Sequence, residues 1–249
     1  MTRSRGLGDV YKRQLKNSNV STGGTTYTTG DGMTGSCLVL TTPDAERTMN
    51  TCLSISSNFS IKNINLVDLK SSEYLYIEGY LVTSDVAMEA VHQSIEFSSK
   101  NDVKIALTFS DLAMVKYFKD NFKSILNNKV DLLFCNEDEA KTFSGSDTLE
   151  DSIKYLGKLS STLVVTLGKN GSLIYHNGEK ITIDPYPTKA VDTVGAGDTY
   201  AGAFLYGITN GLSLKKSGEL ASLLSSKVVS KIGPRLEKDD ILSNKNFFK

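Results

Sequence analysis

From Leu75 onward, short apolar runs alternate with longer amphipathic stretches. Leu75-Tyr76-Ile77, Val103 to Phe109, Leu132-Leu133-Phe134-Cys135 and Leu163 to Leu167 are strand-length runs bounded by turn residues. Near-continuous apolar runs of this kind suit strands buried on both faces. Between them, the spacing predicts a helix over Ser84 to Ser99, with Val86, Ala90, Ile95 and Phe97 near one face and Ser84 or Asp85 as its cap. Further helices are predicted over Leu112 to Leu126, Glu137 to Phe143, Thr148 to Leu159, Asp198 to Thr209 and Leu214 to Ile232. The last is expected to place Ala221, Leu224, Val228 and Ile232 on one face. Ser172 to His176 and Lys180 to Ile183 read as a hairpin around Asn177-Gly178. Nearer the start, residues 15–36 read as loop or short strands, and Leu38 to Thr42 as a strand ended by Pro43-Asp44. Strand and helix in alternation predict an α/β sandwich with a mostly parallel sheet.

Composition narrows the function classes. The 249 residues carry 28 Lys+Arg against 28 Asp+Glu. A neutral balance argues against a general nucleic-acid binder and against a polybasic membrane-surface protein. No apolar run approaches the ~18 residues of a membrane-spanning helix. Cys37, Cys52 and Cys135 fit no zinc spacing and are expected to be small buried residues in a reducing, cytoplasmic setting. His92 and His176 are too isolated for a metal centre, so proton transfer is expected to fall to a carboxylate. Residues 1–14 hold Arg3, Arg5, Lys12 and Arg13 with no apolar core behind them. They read as a non-native leader, with the functional domain over 15–249.

The densest chemistry is in Asp192-Thr193-Val194-Gly195-Ala196-Gly197-Asp198. Gly195, Ala196 and Gly197 let backbone N–H groups approach a ligand, and the helix that follows adds the positive end of its dipole. Together these make an anion hole for a phosphoryl group. Asp198 at its mouth would repel a resting phosphate, but suits a group that takes a proton from an attacking hydroxyl. The plainer alternative is a glycine-rich turn with Asp198 as helix cap. A dinucleotide fingerprint fits less well, because Tyr200 stands where a third glycine would be. Asn136 and Glu139 follow a buried strand, three apart, so both could face one ligand, with Glu139 holding magnesium through water. They could equally be an ordinary acidic helix start. Thr166, Gly168 and Gly171 also follow a buried strand; they suit a nucleotide lying on backbone, or a plain β-turn.

Taken in this order, the three segments resemble the ribokinase family of PfkB-type carbohydrate and nucleoside kinases, from about Thr25 to Leu236. The resemblance implies a three-layer α/β/α sandwich with a mostly parallel sheet and a small β lid. It implies Asp198 as catalytic base, Gly195, Ala196 and Gly197 as anion hole, and Asn136, Glu139, Thr166, Gly168 and Gly171 around ATP and Mg2+. A monovalent cation such as K+ is implied at Asp192 and Thr193. Thr34 to Leu40, followed by Asp44 to Thr51, is similar to the lid-proximal region of adenosine kinase-like members, over about residues 25–55. There Arg47 would reach the transferring phosphate, although a solvated partner of Asp44 or Glu46 is the other reading. Glu78, after its strand, is a candidate contact to the sugar. The family's first strand with its sugar-holding aspartate, and its Gly-Gly segment, are not found in good form. The chain is therefore expected to lack its N-terminal strands and part of the lid and acceptor pocket.

The expected activity is ATP-dependent phosphorylation of the primary hydroxyl of a nucleoside or sugar, most of all adenosine. A ribose- or fructose-type sugar kinase is the alternative within the class. A nucleotide- or sugar-binding protein without turnover, and a Rossmann-type oxidoreductase, are the alternatives outside it. The expected partner is a small nucleoside or sugar, with no nucleic acid and no membrane, and the expected state is a monomer or homodimer.

Overall fold

The alternation of strand and helix is realised as one sheet with helices on both faces. The computed structural model describes residues 13–22, 33, 35–42 and 47–243. A helical segment at residues 13–17, α1, comes first. β1 (Ser36–Thr41) and β2 (Arg47–Cys52) pair antiparallel as a separate two-stranded sheet. Then follow α2 (Leu66–Lys70), β3 (Tyr74–Ile77), α3 (Asp85–Lys100), β4 (Lys104–Thr108), α4 (Leu112–Tyr117) and α5 (Lys119–Leu126). β5 (Val130–Asn136), α6 (Glu137–Ser144), α7 (Leu149–Leu156) and β6 (Ser160–Thr166) continue the alternation. The chain then makes the hairpin β7 (Ser172–His176) and β8 (Glu179–Ile183), and closes with α8 (Ala196–Thr209), α9 (Leu214–Val229) and α10 (Lys238–Leu242).

The main sheet is six-stranded in the order β3-β4-β5-β6-β7-β8. β3 to β6 run parallel, and β7 and β8 are antiparallel. Alternation along each strand divides the core in two. Leu107, Leu133, Cys135, Leu163 and Val165 join one cluster with residues of α3 to α7. Ala106, Leu132, Phe134 and Val164 join the other with Tyr200, Phe204, Leu220 and Leu224 of α8 and α9. Phe109, Phe122 and Phe143 anchor the first cluster, all fully buried, with ring centroids 4.8 and 4.9 Å apart around Phe109. Burial of each ring contributes on the order of 2–3 kcal/mol.

The expected sandwich therefore stands, with several corrections in detail. The Leu112 to Leu126 stretch is two helices. Phe118 (φ −124°, ψ 29°) leaves helical geometry between them, yet it still packs on the same cluster, so the apolar stripe runs across the break. The last long helix stops at Val229, and Ile232 is 87 % exposed. Just beyond its end, the amide of Gly233 donates to Asp192. On α3 the buried face is Ala87, Met88, Ala90, Val91 and Ile95, and Val86 is 48 % exposed. Ser84 caps that helix, accepting from Ala87 N. Of the cysteines only Cys135 is buried; Cys37 and Cys52 lie exposed on the β1–β2 hairpin, where no second layer covers them among the described residues. The Asn177-Gly178 turn has both residues at positive φ (51° and 85°), as a tight two-residue hairpin requires.

Candidate active site

Parallel strands bring their carboxyl ends to one edge, and the loops that follow them meet there. Glu78 follows β3, Thr108 to Ser110 close β4, Asn136 ends β5 and Thr166 ends β6. Register sets them side by side: Ile77 pairs with Leu107, Thr108 with Phe134, and Asn136 with Thr166.

The glycine turn leads into α8 with Gly195 as its N-cap residue, at φ +78° and ψ 4°. The helix thus begins at Ala196, two residues before the expected start at Asp198. Asp192 fixes the turn from below. The residue is 6 % exposed, and its carboxylate accepts from Val194 N through Oδ1 and from Gly233 N through Oδ2, each at 3.0 Å. Val191 N donates to Val229 O at 2.8 Å, so the turn is tied to the end of α9 as well. Ser225 Oγ donates to Ala196 O at 3.2 Å. Ala196 N is directed to Thr193 O at 3.3 Å. The amides of Gly197 and Asp198 meet no acceptor among the described residues. Both residues are exposed, so unpaired N–H groups and the positive end of a helix dipole face open space beside one carboxylate. Two residues on, Tyr200 is buried and its hydroxyl bonds Ser172 Oγ at 2.6 Å, which pins the first turns of α8 to β7. Burial pushes the Tyr200 phenol up to about 12, so it stays neutral.

Asp198 and Glu78 lie within electrostatic reach of each other. Burial is the main cause that raises the Glu78 carboxyl above its ordinary value; the charge of Asp198 adds to it, while hydrogen bonds from Ser110 and Tyr76 oppose it. The Tyr76 hydroxyl is also raised, by burial first and then by the charges of Glu78 and Asp198. The N-terminus of α8 is thus within electrostatic range of the carboxyl end of β3, where Glu78 sits with Tyr76 and Ser110. Because folding raises the Glu78 value, the neutral form is the one the fold favours. The penalty for ionised Glu78 is present at high pH and disappears as pH falls from the raised value through the ordinary carboxylate range. Glu78→Gln is accordingly expected to match or exceed the parent in stability at about pH 8, with the margin shrinking towards about pH 4. Urea midpoints at both pH values check this, and a margin that grows on acidification would contradict it.

Asn136 and Glu139 face each other. Glu139 is 5 % exposed; its Oε2 accepts from Asn136 N at 2.9 Å and its Oε1 from Asn136 Nδ2 at 2.8 Å, while Asn136 Oδ1 accepts from Glu139 N at 2.8 Å. This is a reciprocal cap that holds the start of α6 at the sheet edge. Both oxygens of Glu139 and of Asp192 thus already accept hydrogen bonds, and among the described residues no group of three His, Cys, Asp or Glu could form a metal cage. A carboxylate oxygen keeps a second lone pair, so Glu139 could still face magnesium that arrives with nucleotide phosphates and keeps its waters. In the loop after Thr166, Gly168 has φ +57° and open space around it. Gly171, at φ +86°, leaves no room for a Cβ, which would lie 2.1 Å from Ile183 O. Leu167 N bonds Gly171 O at 2.8 Å and closes the loop. Arg47 opens β2; the expectation for its side chain lies outside the described residues, as do those for Gly23-Gly24 and Asp44 to Glu46.

Three features were not anticipated from the sequence. Tyr76 and Ser110 belong to the Glu78 site, and Pro234 packs directly under Gly195. Ser110 carried a signal, since it follows a predicted strand and precedes Asp111, which caps α4. The Pro234 contact, which joins segments far apart in the chain, carried none.

The comparisons with known proteins agree with this architecture. The family model described as pfkB family carbohydrate kinase matches residues 6–240. The chain is 37 % identical over 138 residues to a ribokinase of Lactococcus lactis, covering 50 % of this chain and 45 % of that protein. It is 34 % identical over 185 residues to an ATP-dependent 6-phosphofructokinase of Thermoanaerobacterium thermosaccharolyticum, covering 72 % of this chain and 57 % of that one. It thus spans about half the length of these curated relatives. The structure of an adenosine kinase from Sinorhizobium meliloti superposes with a TM-score of 0.92 at 26 % identity, over 98 % of this chain and 75 % of that one. With the glycine turn, its aspartate and the sheet-edge residues lying where a doubly covered parallel sheet gathers its ligands, the chain belongs to the pfkB family of carbohydrate kinases.

Proposed function

We propose that this chain carries the phosphoryl-transfer site of an ATP-dependent kinase that acts on the primary hydroxyl of a nucleoside or sugar. One observation supports this above the others: the exposed Asp198 carboxylate stands on the first turn of α8, beside two amides with no acceptor among the described residues, and within electrostatic reach of Glu78. In this reading Asp198 takes the proton of the acceptor hydroxyl as its oxygen bonds the γ-phosphorus. The bond from that phosphorus to the β,γ-bridging oxygen breaks, and ADP leaves. The Gly197 and Asp198 amides bear the charge on the transferring group. Magnesium, arriving with the phosphates, would neutralise charge on their oxygens, with Glu139 facing it through water. Thr166, Gly168 and Gly171 would support the nucleotide, and Glu78 would accept from the acceptor's ring hydroxyls. Among acceptors, adenosine is favoured by the likeness to the S. meliloti adenosine kinase, and a ribose- or fructose-type sugar is the second candidate.

The test is ADP formation from ATP and Mg2+ with adenosine, ribose or fructose, set beside calorimetric titration of ATP. ADP release should require an acceptor with a primary hydroxyl, and 5′-deoxyadenosine should give none. ATP binding with no acceptor-dependent ADP formation would overturn turnover in favour of a binding protein.

A further inference from the structure

We propose that Ser110 is a positioning residue whose hydroxyl holds the Glu78 carboxyl group aimed at the acceptor. The proposal rests on the reading of Glu78 as the acceptor contact. Its geometry is a directed chain of two hydrogen bonds. Gly79 N donates to Ser110 Oγ at 2.8 Å, and Ser110 Oγ is 2.9 Å from Glu78 Oε2. A backbone amide can only donate, so the serine oxygen is the acceptor there and its single proton is left for the carboxylate. A donor fixed in this way favours the charged form of its partner.

The surroundings hold Ser110 in this pose. Its φ is +64°, in the left-handed region that a non-glycine residue adopts only when the structure around it insists. Ser110 N bonds Thr108 Oγ1 at 3.1 Å on one side, and Asp111 N bonds Phe109 O at 2.7 Å on the other. Opposite, Gly79 approaches so closely that a Cβ would lie 2.6 Å from Phe109 O and 2.7 Å from Thr108 O. The ends of β3 and β4 are thereby pressed together, with the serine hydroxyl between them. The groups that face Glu78 are Tyr76 from β3, Ser110 from the end of β4 and Asp198 from α8. None is a cation, and Glu78 makes no ion pair among the described residues. Hydroxyl donors partly offset its burial and the repulsion from Asp198.

The test uses Ser110→Gly, which removes the hydroxyl but accepts the positive φ, so the fold should be kept. Two readouts are taken on the full chain. One is a pH titration of the glutamate carboxyl carbons by 13C NMR, with the Glu78 signal assigned by its loss in Glu78→Gln. The other is the pH profile of kcat/KM for adenosine. In Ser110→Gly the Glu78 titration should move upward, and kcat/KM for adenosine should fall about tenfold on the acid side with the KM for ATP unchanged. An unmoved Glu78 titration together with the parent pH profile overturns the role of Ser110, even where Glu78→Gln raises the adenosine KM. A Glu78→Gln variant with the parent KM for adenosine overturns the reading of Glu78 itself.

Discussion

Asp198→Asn is expected to lower kcat by about a hundredfold to ten-thousandfold while ATP affinity holds or rises. The amide is close to isosteric with the carboxylate, and the side chain is exposed on the first turn of α8, so the helix start should be kept. Loss of one acid near the positive end of a helix costs only about 0.3–1 kcal/mol of stability. Nucleotide phosphates would meet one negative charge fewer, which is why binding should not suffer. The reaction, in contrast, loses the group that accepts the proton at the moment of attack. A second readout separates this from a general disturbance. Asp198 raises the Glu78 carboxyl, so its removal should bring the Glu78 titration down. Single-turnover rates and the carboxyl NMR titration, measured on one preparation, check both. A variant that turns over at the parent rate would remove Asp198 as the base.

Much of this site was legible because its parts are local. Strand runs such as Leu163 to Val165 are apolar without interruption, and a sheet covered on both faces dictates that pattern. The glycine turn compresses its chemistry into a few consecutive residues, so the turn, the helix start and the carboxylate can be read together. Spacing was less decisive for Asn136 and Glu139. Residues three apart on a helical turn can face one ligand or each other, and here they cap each other, while still standing at the sheet edge. What stayed hidden depends on contacts between distant segments. The bond from Gly233 N to Asp192 spans 41 positions and ties the segment after α9 to the glycine turn. The clamp from Ser110 to Glu78 spans 32, and no local pattern reveals it. The break at Phe118 was hidden for a different reason: its side chain packs as a helical residue would, although its backbone does not.

Two alanine substitutions, two residues apart, should have opposite effects on the fold. Gly195→Ala is expected to destabilise the protein by about 2–4 kcal/mol. The residue sits at φ +78°, and its Cβ would lie 2.4 Å from Pro234 O and 2.8 Å from Pro234 Cα. Neither can yield easily, since backbone meets backbone and Gly233 next door is held by Asp192. Gly197 differs on both counts: a Cβ there meets nothing within 4 Å, and the residue lies in the first turn of α8. Alanine suits a helix better than glycine by roughly 0.5–1 kcal/mol, so Gly197→Ala should melt at or slightly above the parent temperature. Its methyl would nonetheless lean towards the helix N-terminus, as every helical Cβ does, and so over the open amides. If those amides hold the transferring phosphoryl, turnover should fall at least tenfold in a protein that is no less stable. Thermal melts and ADP-release rates on the two variants make the comparison. Full turnover in Gly197→Ala would mean the phosphoryl group does not approach that turn, and parent stability in Gly195→Ala would mean the turn does not depend on its glycine. The loss of activity without loss of fold at Gly197 would identify an opening kept for a ligand, because nothing in the packing asks for glycine there.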